Sequence, residues 1–414
     1  MKIVLAHKYF FRGGGTATYL FALREQLHAM GHETIPFTVA FERTAVDEYS
    51  EFYVAPPAGA EQDHFKDMKM TPWLALKLFA RSTWSVEAYY KARALVEATK
   101  PDVAYVHNLY TYMSPSPIAA FKDAGLPVVM RVSDYNMICP GLKLLRNGGP
   151  CYECVSNGLG PALRYRCHKD SLAATAARVL GMWLHDVLGV YDLVDLFVTP
   201  SRFMADLLIE AGFDASRITH IPSFYPPSNG KRASAGLIQH ILYAGRLSPV
   251  KGLETLIRAY GLMEAPPALV IAGADTNGYQ SHLEDLVRQS GISGVQFVGF
   301  QGPESLADLI DGSMFMVVPS EWPDNCPMCI LEAFAHGKPV IAARVGGIPE
   351  QVSEDCGLLF DAGDARALAS TMVRLARDPS LCTRLGRGGY TRLNSVYSPA
   401  HHCDSLLRAL EAVR

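Results

Sequence analysis

Ile241-Leu242-Tyr243-Ala244-Gly245-Arg246-Leu247-Ser248-Pro249-Val250-Lys251-Gly252 passes from an apolar β-branched run into a polar, glycine-bounded turn, and a helical pattern follows it. A short apolar run ending at a glycine reads as a strand buried on both faces. A strand that turns at once into a helix is one step of an α/β fold. Cations at a strand end and free amides at a helix start are what a diphosphate needs. Arg246 offers a planar fork and Lys251 a mobile point charge, and both follow one strand. The plainer reading is a pair of solvated cations at a turn.

The same alternation extends in both directions. Leu269-Val270-Ile271, Val295 to Val298, Phe315 to Val318 and Val340-Ile341-Ala342 read with Ile241-Leu242-Tyr243 as fully buried strands, and a helical pattern follows each of the first four. In the first half, Lys2 to Ala6, Thr34 to Val39, Val103 to Val106, Val128 to Val132 and Leu196 to Val198 repeat the plan. Tyr19, Leu20, Leu23, Leu27 and Met30 fall at helical spacing between the first two, with Gly31 as the stop. A chain of 414 residues exceeds what one hydrophobic core usually holds. The expected fold is therefore α/β, two facing Rossmann-like domains with a ligand cleft between them. A proline- and glycine-rich stretch starting at Ser223 sets the boundary. The expected division is 1–222, a linker at 223–236, a second domain at 237–392, and a helix at 393–414 returning to the first domain.

Hydrophobic residues make up 49% of the chain and charged residues 19%, as in ordinary globular proteins. The net charge of −3 argues against bulk nucleic-acid binding, which needs a basic surface. MKIVLAHKYFF runs straight into a glycine turn without the longer apolar stretch and cleavage site of an export signal. No apolar run reaches the roughly 18 residues of a spanning helix. The expected location is the cytoplasm.

A second polar stretch follows the strand Phe315 to Val318: Pro319-Ser320-Glu321-Trp322-Pro323-Asp324-Asn325-Cys326-Pro327-Met328-Cys329-Ile330-Leu331-Glu332-Ala333. A helix is expected to start near Pro327, in the first-turn position that proline favours. Asp324 then lies in the loop and Glu332 a turn or more into the helix. Carboxylates accept hydrogen bonds from hydroxyls, so the pair suits a polyol with a sugar at one end and a ribose at the other. A capping Asp324 and a surface Glu332 would be the bland account. The apolar run Ile330 to Phe334 around Glu332 speaks against a purely solvated role.

Together these two stretches resemble the retaining glycosyltransferases of family four, which have the GT-B fold. Gly14-Gly15, Gly31-His32-Glu33 and Gly346-Gly347-Ile348-Pro349-Glu350 also stand where that family has them. The resemblance implies that Gly245, Arg246 and Lys251 hold the diphosphate of a nucleotide-sugar donor, UDP- or GDP-linked. Glu332, with Ile330 and Leu331 beside it, would meet the ribose. Asp324 would contact the transferred sugar, Asn325 and Met328 would also belong to the donor site, and Gly273 and Phe300 would lie near the base. Gly14 and Gly15 would let the first-domain backbone approach the phosphates. Asp324 stands where the family has a glutamate, one methylene longer. Ser133-Asp134 stands where many relatives have His-Asp. The histidine is expected near C6 of the donor sugar, so Ser133 leaves a weaker grip there, and Asp134 would project into the cleft. The family transfers a sugar with retention and without a catalytic metal, here onto a glycan or lipid-linked acceptor in surface polysaccharide biosynthesis. A sugar-nucleotide epimerase on the same architecture and a non-catalytic nucleotide-sugar binding protein remain as alternatives.

Nine cysteines in a chain without an export signal are expected to be reduced, metal-bound or buried. Cys139, Cys151, Cys154 and Cys167 fall in one insertion, 139–167, and four thiolates suffice for a structural zinc. Buried thiols and disulfides are the other readings. Cys326 and Cys329 read as loop and helix filler. The segment Met70 to Tyr90 carries Trp73, Leu74, Leu76, Leu78, Phe79 and Trp84 among Lys69, Lys77 and Arg81. It fits a helix lying on an anionic membrane, and equally one packed on the first domain.

Overall fold

The computed structural model describes all residues except 12–14, 58–70, 226–239 and 276. The chain divides into two compact units: Met1–Leu144, Tyr152–Ile221 and Cys403–Arg414 form the first, and Leu145–Cys151 with Pro222–His402 the second. Of the expected linker at 223–236, everything from 226 onward lies outside the described residues.

The first unit is built on Lys2–Ala6 (β1), Glu33–Phe37 (β2), Val103–His107 (β3), Val128–Arg131 (β4), Leu196–Thr199 (β5) and Ile218–His220 (β6). They form one sheet in the order β2-β1-β3-β4-β5-β6, with parallel pairings throughout. Between β1 and β2 runs Gly15–Ala29 (α1), whose Leu20, Leu23 and Leu27 are buried. Gly31 closes it with φ of 82°. Further helices are Pro72–Thr83 (α2), Val86–Thr99 (α3), Ser116–Asp123 (α4), Leu172–Val187 (α5) and Arg202–Glu210 (α6). The side chains of Thr71, Ser85, Ser171 and Ser201 cap α2, α3, α5 and α6 by accepting a backbone N–H three residues on. The residue before β5, Asp195, accepts the amide of Val128 at 2.7 Å and the Lys122 ammonium at 2.8 Å, tying α4 to the sheet.

The second unit contains His240–Ala244 (β7), Leu269–Ala272 (β8), Val295–Gly299 (β9), Ser313–Val318 (β10), Val340–Ala343 (β11) and Gly357–Phe360 (β12). Their order is β9-β8-β7-β10-β11-β12, again parallel. The helices Leu253–Gly261 (α7), Tyr279–Gln289 (α8), Pro303–Gly312 (α9), Met328–Ala335 (α10), Ala365–Arg377 (α11) and Pro379–Val396 (α12) accompany it. Pro399–Ala412 (α13) begins in the second unit and ends in the first, where Cys403, Leu406 and Leu410 are buried and Arg414 pairs with Asp102 at 2.9 Å. The fold is that of two Rossmann-like domains.

Two local expectations are corrected. Val295 to Val298 does not form a fully buried strand: among the described residues β9 is an edge strand paired only with β8, and Gln296 and Val298 face solvent. Pro327 caps α10 from outside, in an extended conformation with ψ of 121°, and does not occupy its first turn.

Candidate active site

In the second unit the strand order reverses between β7 and β10, the first and fourth strands of that sheet. Ligands of open α/β sheets bind beyond the carboxyl ends of the strands at such a point. The two polar stretches follow these two strands, so the fold brings them together. Gly245 closes β7, and a Cβ on it would lie 2.9 Å from the Tyr243 hydroxyl. That hydroxyl donates to the Arg246 carbonyl at 2.9 Å and fixes the turn. Arg246 is exposed and forms no ion pair among the described residues. Lys251 forms a salt bridge with Asp324 Oδ2 and lies 5.4 Å from the centre of the Trp322 ring. Ser320 Oγ donates to the same Asp324 oxygen at 3.0 Å. Asp324 and Asn325 are buried.

Glu332 sits one turn into α10, with no hydrogen bond to its carboxyl group among the described residues. Burial pushes its pKa up to about 7. Its neighbours Ile330 and Leu331 are fully buried core side chains, so only their backbone could face a ligand. Met328 opens the helix. Gly273 follows β8, and its amide donates to the Gly299 carbonyl at 2.8 Å. A Cβ at Gly273 would sit 1.7 Å from the Gly245 carbonyl oxygen, so three strand ends meet there. Phe300 follows as a ring 77% exposed. Sequence reasoning missed Ser248 and Ser320. The buried Ser248 hydroxyl makes no hydrogen bond among the described residues, in the same turn as Arg246 and Lys251. A serine in a glycine-bounded turn was the available signal.

In the first unit the corresponding strand ends carry a polar cluster. His7 and Lys8 follow β1, and Ser133 and Asp134 follow β4. The Tyr9 amide donates to His7 Nδ1 at 3.1 Å, and burial pulls the His7 pKa down to about 3, so the ring is neutral. Asp134 Oδ1 accepts the Asn136 amide at 3.0 Å, which makes it a turn aspartate as well as a site candidate. Burial depresses the pKa values of Lys8 and Arg178, and the Asp134 charge opposes that shift in both. The Ser133 hydroxyl is buried without a partner among the described residues. Lys8, Tyr110, Arg178 and Tyr191 were missed. Only Lys8, two residues beyond a strand, carried a local signal. Of the glycines expected at the phosphates, Gly14 lies outside the described residues and Gly15 opens α1.

Among the described residues no three of His, Cys, Asp and Glu are grouped to hold a metal ion. Cys139 and Cys167 flank Gly141: a Cβ there would lie 3.7 Å from the Cys139 sulfur and 3.3 Å from the Cys167 Cβ.

Two Rossmann-like domains, the second with cations and carboxylates gathered at its switch point, define the GT-B class of sugar-transferring proteins. Residues 14–223 match the glycosyl transferase 4-like domain, and residues 238–378 match the glycosyl transferases of group 1. The chain belongs to this glycosyltransferase family. It is 29% identical over 276 residues to a D-inositol 3-phosphate glycosyltransferase of Corynebacterium efficiens, covering 58% of this chain and 64% of that one. With the enzyme of that name from Streptomyces avermitilis the identity is 34% over 181 residues, 39% of each chain. The matches thus span less than two thirds of either relative. Among solved structures, the sucrose-phosphate synthase of Thermosynechococcus elongatus superimposes with a TM-score of 0.69 at 22% identity, over 100% of both chains. Anabaena Alr3699/HepE, solved in complex with UDP-glucose, gives 0.68 at 16% identity, also over 100% of both. No helix among the described residues is long and apolar enough to cross a membrane.

Proposed function

We propose that this protein is a retaining, metal-independent glycosyltransferase that moves a sugar from a UDP- or GDP-sugar to a glycan or lipid-linked acceptor in surface polysaccharide biosynthesis. The observation that carries this reading is the convergence of Arg246, Lys251, Asp324 and Glu332 on the ends of two neighbouring strands at the switch point of the second sheet. An ammonium has three donors, and its pairing with Asp324 leaves others for diphosphate oxygens. Lys251 and Arg246 would meet the charge that builds on the departing diphosphate. Glu332 would accept the ribose hydroxyls, and Phe300 offers an exposed ring for the base. In the transfer itself, the bond from the anomeric carbon to the diphosphate oxygen breaks. The acceptor hydroxyl oxygen bonds to that carbon from the same face, and its proton passes to the leaving phosphate oxygen. Asp324 would contact the transferred sugar. The Anabaena protein's complex with UDP-glucose supports a UDP-sugar as the first donor to test. The reading places the enzyme in the cytoplasm at the inner membrane surface, a position supported by the exposed Trp73 and Leu76 on α2. Lys69 and Met70 of that segment lie outside the described residues.

The test is calorimetric titration of UDP-glucose and a GDP-sugar into wild type, Arg246→Ala and Lys251→Ala. Each substitution is expected to cost about 1.5–3 kcal/mol, one charge-assisted contact. Wild-type affinity in both variants overturns the diphosphate assignment. Product stereochemistry by NMR, with and without chelator, tests retention and metal independence.

A further inference from the structure

The first unit contains a cavity of about 540 Å³, within the range of small-molecule sites. One wall is α5, and others include the Asn136–Ile138 turn, the Cys154–Ser156 stretch and the Ala211–Phe213 segment after α6. Arg178 of α5 lines it. Its Nη2 donates to the carbonyl of Asn136 at 2.8 Å and to the Asn136 side-chain oxygen at 2.9 Å, while its Nε is buried without a partner. No carboxylate pairs with it at ion-pair distance among the described residues. The Tyr110 hydroxyl, also in the lining, is buried with no partner among them.

A guanidinium stays charged at any physiological pH, and burying it without a counter-charge is costly. Asp134 offsets part of that cost through space only. Two buried, unsatisfied donors on residues that line one cavity therefore call for an anion. The remaining wall is of another kind: Met182 and Ile138 are buried apolar side chains, and Trp183 is half exposed. Beyond Trp183, Val187 at the end of the same helix and Leu188 just after it are exposed. Two carboxylates, Asp186 and Glu210, also line the cavity, but both residues are exposed at its rim, where water and salt screen them.

We propose that this cavity binds an amphipathic anion, an apolar chain or ring bearing a phosphate or carboxylate, with the head group on Arg178 and Tyr110 and the apolar body against Met182 and Trp183. The proposal deepens the glycosyltransferase reading by giving the acceptor a chemical class, and it rests on that reading for the acceptor role alone.

The experiment is calorimetric titration of the full chain with octyl phosphate, octanoate, octyl glucoside and inorganic phosphate, below micelle-forming concentrations. Octyl phosphate or octanoate is expected to bind at least tenfold more tightly than octyl glucoside and than inorganic phosphate; the tighter of the two identifies the head group. Arg178→Gln should weaken that binding at least tenfold, Arg178→Lys should restore part of it, and Trp183→Ala should weaken it a few-fold. Equal binding of the neutral and anionic octyl compounds, no binding of either, or an unaffected Arg178→Gln overturns the proposal. UDP-glucose is titrated into the same variants. A wild-type calorimetric unfolding transition of the first unit, to which Arg178 and Trp183 belong, shows that the variants are folded. If wild type fails to bind any nucleotide-sugar while octyl phosphate binds as expected, the donor reading fails and the cavity assignment stands.

Discussion

On Glu332 the fold places a carboxyl group in surroundings that oppose its charge, and this has consequences for both stability and binding. Its ordinary value of 4.5 rises to about 7 through desolvation. Below pH 4.5 the group is neutral whether the chain is folded or not, and it costs nothing. Between 4.5 and 7 the folded chain keeps a proton that the unfolded chain has lost. Stability therefore falls across that window, and above 7 the charge is buried in full at a constant penalty of about 3 kcal/mol. Ribose hydroxyls donate best to the ionised carboxylate, so a donor that uses Glu332 must select the form the empty site disfavours. UDP-glucose affinity is therefore expected to rise roughly tenfold or more between pH 5.5 and 7 and then level off, with proton release on binding below 7. Glu332→Gln should flatten that profile. The sugar diphosphate itself does not titrate in this window, so an unchanged slope in the variant would assign the dependence to another group. Asp324 differs in kind: it already has Lys251 and Ser320 as partners. The shorter aspartate thus arrives with its position fixed by the loop.

At the scale of elements, the turn after β7 and the loop after β10 are held together through a glycine. Gly252 has φ of 68°, and a Cβ on it would lie 1.8 Å from the Pro319 carbonyl oxygen. Pro319 directly precedes Ser320, so this is where the Lys251 turn crosses the Asp324 loop. Gly252→Ala must pay the left-handed conformation and also push two backbones apart. The expected loss is about 2–5 kcal/mol of stability, with UDP-glucose affinity down at least tenfold. Gly363→Ala is the control, since its φ is 81° but nothing lies within 4 Å of the added Cβ. It should lose about 1 kcal/mol and leave donor binding unchanged. Equal effects in the two variants, by thermal unfolding and titration, would show that the crossing has no special role. The strands themselves were legible because a parallel strand covered on both faces must be an apolar run, as in His240–Ala244 and Val340–Ala343. Val295–Gly299 misled for the converse reason: apolar residues on an edge strand look the same in sequence as those in the middle. Both polar stretches of the second unit were readable because each lies within a few residues of its strand. Arg178 and Tyr191 were not readable, since they reach the neighbourhood of Asp134 only by tertiary folding of a helix and turn some forty to sixty residues downstream.

The whole molecule uses the chain's last segment to complete its first unit. Within α13 the division falls between His402 and Cys403, and everything after it belongs with Met1–Leu144 and Tyr152–Ile221. Leu406 and Leu410 are fully buried and Leu407 nearly so. Burying one leucine side chain contributes about 1.5–3 kcal/mol, so these three are worth about 4.5–9 kcal/mol together. A domain's net stability is about 5–15 kcal/mol, so losing them removes most of the margin. The Arg414 pair with Asp102 is half exposed and adds little to that sum. The proposed donor residues Arg246, Lys251, Asp324 and Glu332 all belong to the other unit and follow two strands of its one sheet. A chain ending at His402 is therefore expected to lose or sharply lower the calorimetric transition of the first unit. It should keep a transition for the second and bind UDP-glucose within a few-fold of the full-length protein. Transfer to any acceptor should be abolished, because the Asp134 and Arg178 neighbourhood is no longer folded. A truncated chain that unfolds in one transition and has lost UDP-glucose binding would contradict this. The two units would then share one cooperative fold, and the donor site would depend on the first unit as a whole.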